Sequence, residues 1–370
     1  MKWRNLIKKA ILCELILLGV VICIMSYTYI KGGSFTMASS NPEKDYIKWV
    51  DFGVSYKALS KAYELDVASY EEDVKLNWIE LLSYLGAKYG GNFSRYKDKD
   101  IIDLADKLKS KEETIESLTK DMKYYNYYYE AYEAVLGGYV GEYEIEIQNE
   151  DNPEEKVWVK KYGLKAFLPV AKNFPFSDYD DFGVSRSYGY KRRHLGHDMM
   201  GQVGTPIIAV ESGYVEALGW NQYGGWRLGI RSFDGKRYYY YAHLRQNYPY
   251  HKTLEEGSAV TAGDVIGYLG RTGYSAKENV NNINTPHLHF GIQLIFDESQ
   301  KEGNNEIWID CYNITKFLYK NRSETAKNAE TKEWNRVINM KDPAVDEYLQ
   351  NKDNRKEDDK KDRKQLDPGE

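Results

Sequence analysis

The chain has 370 residues, enough for two domains with separate hydrophobic cores, since a typical domain has about 100–200 residues. Its composition, 29% charged and 42% hydrophobic, is that of a soluble protein and excludes a membrane protein with many spans. The net charge of −5, with Lys and Arg interleaved among Asp and Glu, argues against nucleic acid as a partner.

The N-terminus combines a basic flank, residues 1–9, with a nearly continuous apolar run, residues 10–30. That run matches the ~20 residues that a helix needs to cross a bilayer. Because positive flanks stay in the cytoplasm, the pattern predicts a single-pass helix in the cell membrane, with the N-terminus inside and the remainder outside. A cleaved signal peptide is the alternative, but its apolar core would be only ~7–15 residues long and no A-x-A cleavage site follows.

Residues 31–148 are predicted to form an extracytoplasmic α-helical module. Apolar side chains recur there at i, i+4, i+7, i+8 and i+11, which places them on one helix face: Val74, Trp78, Leu81, Leu82 and Leu85. A tyrosine-rich segment, residues 124–132, is predicted to continue as a helix, with packing or a sugar-binding platform as alternative roles. No carboxylate pair in this module is arranged as a glycosidase dyad, so its role stays open.

A polar stretch, residues 149–165, predicts a linker, and the residue pattern of the sequence changes after it. Residues 166–320 alternate short β-rich runs with Gly-bearing turns, as is typical of a compact antiparallel β sandwich or barrel. The last stretch, residues 321–370, is dense in charges of both signs and predicts a disordered tail.

The histidines are confined to the β-rich region, where all 6 lie between His194 and His289. In a strand, residues i and i+2 share a face, so His287 and His289 point to the same side. His194 and Asp198, four residues apart, also share a face. With only 3 Cys, any zinc site needs His and carboxylate ligands. His194, Asp198 and one histidine of the closing pair would supply the three ligands of a catalytic zinc; isolated surface histidines are the alternative.

Around these residues the sequence resembles the M23 peptidase family, which includes lysostaphin-like and LytM-like cell-wall endopeptidases. The motifs that carry the resemblance occur in the family's order, from His194 to Gly291: His-x-Gly-x-Asp, Gly-Thr-Pro-x-x-Ala, Tyr-x-His-Leu, Gly-Asp-x-Ile-Gly and His-Leu-His-Phe-Gly. The resemblance implies a compact antiparallel β domain with one zinc ion at the floor of a groove.

By position, the resemblance makes His194, Asp198 and His289 the zinc ligands. His287 would be the general base or proton shuttle, and His243 would help to hold the oxyanion or the water. Zinc lowers the pKa of a water molecule toward ~7, and a nearby imidazole relays the proton to the leaving amine.

The implied function is that of a membrane-anchored zinc endopeptidase that hydrolyses peptide bonds in peptidoglycan cross-links or stem peptides. The alternative is a catalytically silent scaffold or regulator in an envelope assembly, with an envelope protein as partner. All five expected site positions are filled, which favours the enzyme. Two further histidines depart from the pattern: His197 is expected to face away from the metal, and His251 to lie at the surface or line the groove.

Overall fold

The computed structural model describes residues 46–187 and 191–366, and the residues from Ile47 onward belong to a single compact unit. The predicted basic flank, residues 1–9, and the predicted transmembrane helix, residues 10–30, lie outside the described residues. Within the described ranges, no helix is both long enough and apolar enough to cross a membrane.

The first regular elements in the described part of the chain are five α-helices: α1 (Tyr56–Ser69), α2 (Trp78–Tyr89), α3 (Asp98–Lys109), α4 (Ile115–Thr119) and α5 (Tyr125–Leu136). Helix α2 begins where Asn77 Oδ1 accepts hydrogen bonds from the backbone N–H groups of Ile79 and Glu80. It ends at Gly90, which adopts the left-handed conformation with φ 62°. Four residues of the apolar face predicted from the sequence lie on this helix and are buried, namely Trp78, Leu81, Leu82 and Leu85. The fifth, Val74, precedes the helix and is half-buried, so the helical prediction is confirmed from Trp78 onward.

A β-hairpin follows the helices, formed by β1 (Val140–Gln148) and β2 (Lys156–Leu164). The structure therefore corrects two expectations, a helical module that continues to residue 148 and a linker at 149–165. Apolar and charged residues alternate along β1 from Glu142 to Ile147, which is the period of a strand. Charges that suggested a linker face each other across the hairpin, as Glu144 faces Lys160.

The β domain contains twelve further strands in the described part of the chain: β3 (Ser177–Asp178), β4 (Ser185–Ser187), β5 (Lys191–Arg193), β6 (His197–Met200), β7 (Pro206–Ile208), β8 (Gly213–Asn221), β9 (Gly225–Ser232), β10 (Arg237–Ala242), β11 (Ala259–Val260), β12 (Val265–Tyr268), β13 (His287–Leu294) and β14 (Ile307–Ile309). The main sheet has the order β11-β8-β9-β10-β13-β6-β3, with β14 also paired to β13. Strands β4 and β5 form a hairpin, and β7 pairs with β12. The predicted mainly β, antiparallel domain is confirmed.

The C-terminal stretch, predicted as a disordered tail, contains regular structure instead. After α6 (Tyr312–Leu318) come β15 (Thr325–Lys327), β16 (Trp334–Arg336), β17 (Met340–Lys341) and α7 (Pro343–Leu366), and β17 pairs with β1. The carboxylate of Glu333, 1% exposed, accepts hydrogen bonds from the hydroxyls of Tyr248 and Tyr268. Specific partners of this kind order a segment whose composition alone predicts disorder.

The main hydrophobic core continues from the helical region into the β domain, so the two regions do not have the separate cores that the chain length suggested. A smaller apolar cluster lies around Ile208 and Tyr268. Arg237 on β10, 1% exposed, connects the two regions. Its Nη1 donates to the carbonyl of Ala134 at the C-terminal end of α5 at 2.7 Å. Its other nitrogens reach Glu211 at 2.8 Å and Asp234 at 2.7 Å. Two carboxylates and the helix end thus compensate a fully buried cation.

Candidate metal centre

The register between β6 and β13 builds the centre of the site. Asp198 on β6 lies directly opposite His289 on β13, and His287 opposes Met200 two residues away. Leu288 and Phe290 alternate with the histidines and are fully buried on the other face. His194 comes just before β6, so a short segment and one strand pair bring three candidate ligands together.

The three candidate ligand atoms lie within hydrogen-bond distance of one another. His194 Nε2 is 3.0 Å from Asp198 Oδ1 and 3.1 Å from His289 Nδ1. His289 Nδ1 is 2.8 Å from the same Asp198 oxygen. Ligand atoms at ~2.0–2.1 Å from a tetrahedral zinc would be roughly 3.3 Å apart, so this triangle needs only a small expansion to hold the ion.

The chemistry of these atoms also fits a cation. His194 Nδ1 lies 3.0 Å from Asp181 Oδ1, and an ionised carboxylate can only accept, so the proton sits on Nδ1. His194 Nε2 therefore presents a lone pair to the space that Asp198 Oδ1 also faces. A carboxylate behind a metal-binding histidine fixes its tautomer and ring orientation. Sequence reasoning missed Asp181, which carries no motif and lies 13 residues before His194.

Arg186 on β4 holds the second oxygen of Asp198. Its Nη1 donates to Asp198 Oδ2 at 2.7 Å, and its Nη2 donates to Asp181. Burial acts to raise the pKa of Asp198, but the close approach of the His194, His289 and His287 rings outweighs it and holds that pKa well below the usual range. Asp198 is thus ionised and oriented as a ligand. Sequence reasoning missed Arg186 as well.

His243 and His287 lie beside the three ligands with their rings 4.8 Å apart. Each Nδ1 faces a backbone carbonyl, that of Thr272 at 2.9 Å for His243 and that of Thr285 at 2.8 Å for His287. A carbonyl only accepts, so Nδ1 carries the proton and the neutral ring presents a lone pair at Nε2. His287 Nε2 lies 3.6 Å from Asp198 Oδ2.

The environment of His243 favours its neutral form. Burial, followed by the neighbouring His287 and His289, lowers the pKa of His243 well below its ordinary value. The residue also has φ 61°, a left-handed conformation that is uncommon for residues other than glycine and is often found at functional sites. His243 is therefore positioned as a proton acceptor at the cost of local backbone strain.

The remaining histidines lie outside the ligand cluster. His197 Nε2 lies 2.9 Å from Asp178 Oδ2, so this ring faces away from the metal ligands as predicted. His251 is only 8% exposed, and its Nδ1 lies 2.8 Å from Thr253 Oγ1. The prediction that His251 lies at the surface is wrong, because the C-terminal segment packs beside it. Glu333 Oε2 of that segment lies 3.8 Å from His251 Nε2.

The site opens into a cleft of ≈ 240 Å³. Imidazole, aromatic and guanidinium groups line it, among them His194, His243, His289, Tyr240, Tyr274, Trp308, Arg186, Arg192 and Arg193. A zinc ion held by His194, Asp198 and His289 would polarise a peptide carbonyl and lower the pKa of a water molecule to ~7. The lone pairs of His243 and His287 lie next to that position and are able to accept a proton.

Comparison with known proteins decides the family of this region. Residues 192–306 match the family model described as Peptidase family M23. The chain contains an M23 peptidase domain. M23 peptidases are zinc-dependent, and the residues that group as possible metal ligands in the described part of the chain are His194, Asp198 and His289. Zinc is therefore the cofactor of the M23 domain.

Several known proteins are similar to the M23 domain. The L-Ala–D-Glu endopeptidase of Bacillus subtilis is 36% identical over 131 residues, which cover 35% of this chain and 38% of that protein. Lysostaphin of Staphylococcus simulans is 37% identical over 98 residues, 26% of this chain and 17% of that protein. The crystallised catalytic domain of lysostaphin is 29% identical with a TM-score of 0.30, and the match covers 38% of this chain and 92% of that domain. The match thus spans less than two fifths of the length of the Bacillus subtilis endopeptidase and of full-length lysostaphin.

Proposed function

We propose that this protein is a zinc endopeptidase that hydrolyses peptide bonds in peptidoglycan cross-links or stem peptides. The observation that carries the proposal is the convergence of His194, Asp198 and His289 in an open cleft of an M23 domain, with two further imidazoles beside them. One of the relatives named above is an L-Ala–D-Glu endopeptidase. A silent scaffold would have no need of all five side chains, so the enzyme is favoured over that alternative.

Each residue of the site has a separate role in this proposal. His194, Asp198 and His289 hold the metal, while Asp181 and Arg186 orient the first two. His287 accepts the proton of the attacking water at Nε2 and passes it to the leaving amine. His243 donates Nδ1–H to Thr272, so its neutral ring accepts at Nε2, which suits holding a water molecule better than stabilising an oxyanion.

We also infer that residues 10–30 anchor the protein in the cell membrane, with the M23 domain outside. The support is the length of the apolar run and its basic flank. Protease added to intact, wall-stripped cells should then degrade the chain beyond residue 31. Full protection of the chain would refute this orientation.

Digestion of peptidoglycan tests the proposed activity. The purified, zinc-loaded full chain should release peptides from isolated peptidoglycan, and their masses should identify the bond that is cut. The same chain after removal of metal by a chelator should release none. A chain that binds the wall but releases no peptide in either state would support the scaffold alternative instead.

A further inference from the structure

The cleft beside the metal centre carries more positive than negative charge among the described residues. Arg186 is engaged by Asp181 and Asp198, as described above. Arg192 and Arg193 also line the cleft but have no carboxylate partner within the described ranges. The carboxylate that lines the cleft there, Glu306, accepts a hydrogen bond from the indole of Trp308 at 2.7 Å. Two arginines therefore face the cleft with their charge uncompensated.

Arg192 is held in place without using its full hydrogen-bonding capacity. It lies directly opposite Arg186 across the β4–β5 hairpin, so both side chains share one face. Its guanidinium carbon is 4.9 Å from the centre of the Tyr274 ring, as in a cation–π contact. The Tyr274 ring in turn lies 5.7 Å from the ring of His243. Arg192 is thus fixed one aromatic ring away from the reacting centre.

The Nε–H of Arg192 is buried and has no hydrogen-bond partner among the described residues. A buried donor without an acceptor is costly and rare in folded proteins, and it calls for an explanation. A guanidinium group binds a carboxylate through two parallel hydrogen bonds, and its planar fork has the matching geometry. Arg192 lines the cleft, so a carboxylate supplied by a ligand there would pair with the guanidinium group.

We propose that Arg192, assisted by Arg193, forms a subsite that binds a free carboxylate of the stem peptide. A glutamate linked through its side-chain carboxyl leaves its α-carboxylate free and presents such a group next to a scissile bond. This subsite rests on the proposed peptidase function and narrows its substrate to peptides that carry this anion. It also gives the basic lining of the cleft a role in specificity.

Two cross-linked stem peptides that differ in one group test the subsite. One carries D-glutamate with its free α-carboxylate, and the other carries D-isoglutamine, in which that carboxylate is a neutral amide. The full chain should cleave the acid with a kcat/KM about 10- to 100-fold higher than the amide, the expected contribution of a charge-assisted pair. Equal values for both peptides would overturn the subsite and leave the peptidase function standing. Failure to cleave either peptide or whole peptidoglycan would contradict the peptidase function itself.

Substitution of Arg192 assigns the preference to this side chain. In Arg192→Gln, the ratio of the two kcat/KM values should fall toward one, with the zinc content of the protein unchanged. Arg192→Lys keeps the charge without the planar fork and should show an intermediate ratio. Arg95→Gln changes an exposed arginine of the helical region and should leave both constants unchanged. If Arg192→Gln prefers the D-glutamate peptide over the D-isoglutamine peptide as strongly as the unaltered chain does, the assignment to Arg192 is refuted. If Arg192→Gln does not fold, the subsite is still tested by two other measurements. These are the ratio of the two kcat/KM values in Arg193→Gln and the same ratio in the unaltered chain.

Discussion

His287 and His289 share one strand face but contact different parts of the centre. His289 Nδ1 is within 3.1 Å of the ligand atoms of both His194 and Asp198. The ring of His287 is tied to the carbonyl of Thr285, and its Nε2 lies 3.6 Å from the other oxygen of Asp198. One ring is thus positioned as a ligand and the other as an acid or base, and their loss should have different consequences.

His289→Ala should lose both zinc and peptidase activity, because the two remaining protein ligands hold the ion poorly. His287→Ala should keep its zinc, while turnover falls by roughly 10²- to 10⁴-fold, the usual effect of removing a positioned acid or base. Elemental analysis measures the zinc content of each variant, and the release of peptides from wall material measures its activity. Loss of zinc from His287→Ala with retention in His289→Ala would reverse the two roles.

Asp181 is expected to act through His194 rather than on the substrate. Asp181→Asn removes the negative charge behind His194 Nδ1, so the affinity for zinc should fall by roughly 10- to 100-fold. Competition with a chelator measures this affinity. Asp178→Asn is the matched control, because Asp178 pairs with His197 on the opposite face of β6 and should leave the affinity unchanged. Equal affinities in the two variants would show that Asp181 has no positioning role.

At the scale of elements, the site depends on the close approach of the His194 segment to β13. Gly196 permits this approach, because a Cβ there would lie 2.6 Å from the Cε1 and Nε2 atoms of His289 and 2.7 Å from the carbonyl oxygen of Phe290. Gly196→Ala should therefore displace His289, weaken zinc binding and destabilise the fold by about 1–3 kcal/mol.

Zinc titration and denaturant unfolding of Gly196→Ala measure both effects. Gly141→Ala on β1 is a suitable control, because its Cβ would meet only the flexible side chain of Lys165, at 3.4 Å. Zinc binding as tight in Gly196→Ala as in the unaltered chain would contradict the proposed role of this approach.

Local patterns predicted the N-terminal helices and the antiparallel β domain, and the family resemblance predicted the set of ligands, but neither predicted the supporting residues. A period of two placed His287 and His289 on one face, and β13 has that geometry. Asp181 and Arg186 reach the site from a loop and a hairpin whose position depends on tertiary packing, and no spacing indicates them. The polar stretch at residues 149–165 predicts a linker, but it contains the turn and strand β2 of a hairpin, in which charges such as that of Lys160 lie opposite charges on β1.

At the scale of the whole molecule, the continuous core joins regions that appeared separate in the sequence. Their connection depends on Arg237, whose partners Ala134 and Asp234 lie 100 residues apart in the sequence. Hydrophobic periodicity identifies each element but not the elements on which it packs. The order of the C-terminal segment has the same origin, since buried contacts such as that of Glu333 come from distant tyrosines.

Arg237→Met should destabilise the fold by about 3–5 kcal/mol, because it leaves Glu211 and Asp234 without their buried cation. The free energy of unfolding in urea measures the loss. Lys99→Met is the control, since the Lys99–Asp103 pair is exposed and screened by solvent, so its loss should leave the free energy of unfolding nearly unchanged. A decrease of less than ~1 kcal/mol in the free energy of unfolding of Arg237→Met would show that the contacts of Arg237 do not stabilise the fold.

The central claim is that this protein cuts wall peptides with one zinc ion held by His194, Asp198 and His289. The most direct measurement is to titrate zinc into the metal-free full chain while following peptide release from peptidoglycan by mass spectrometry. Activity should be absent without zinc, rise in proportion to added metal and saturate at one ion per chain. Peptide release by the metal-free chain, or none at saturating zinc, would contradict the claim.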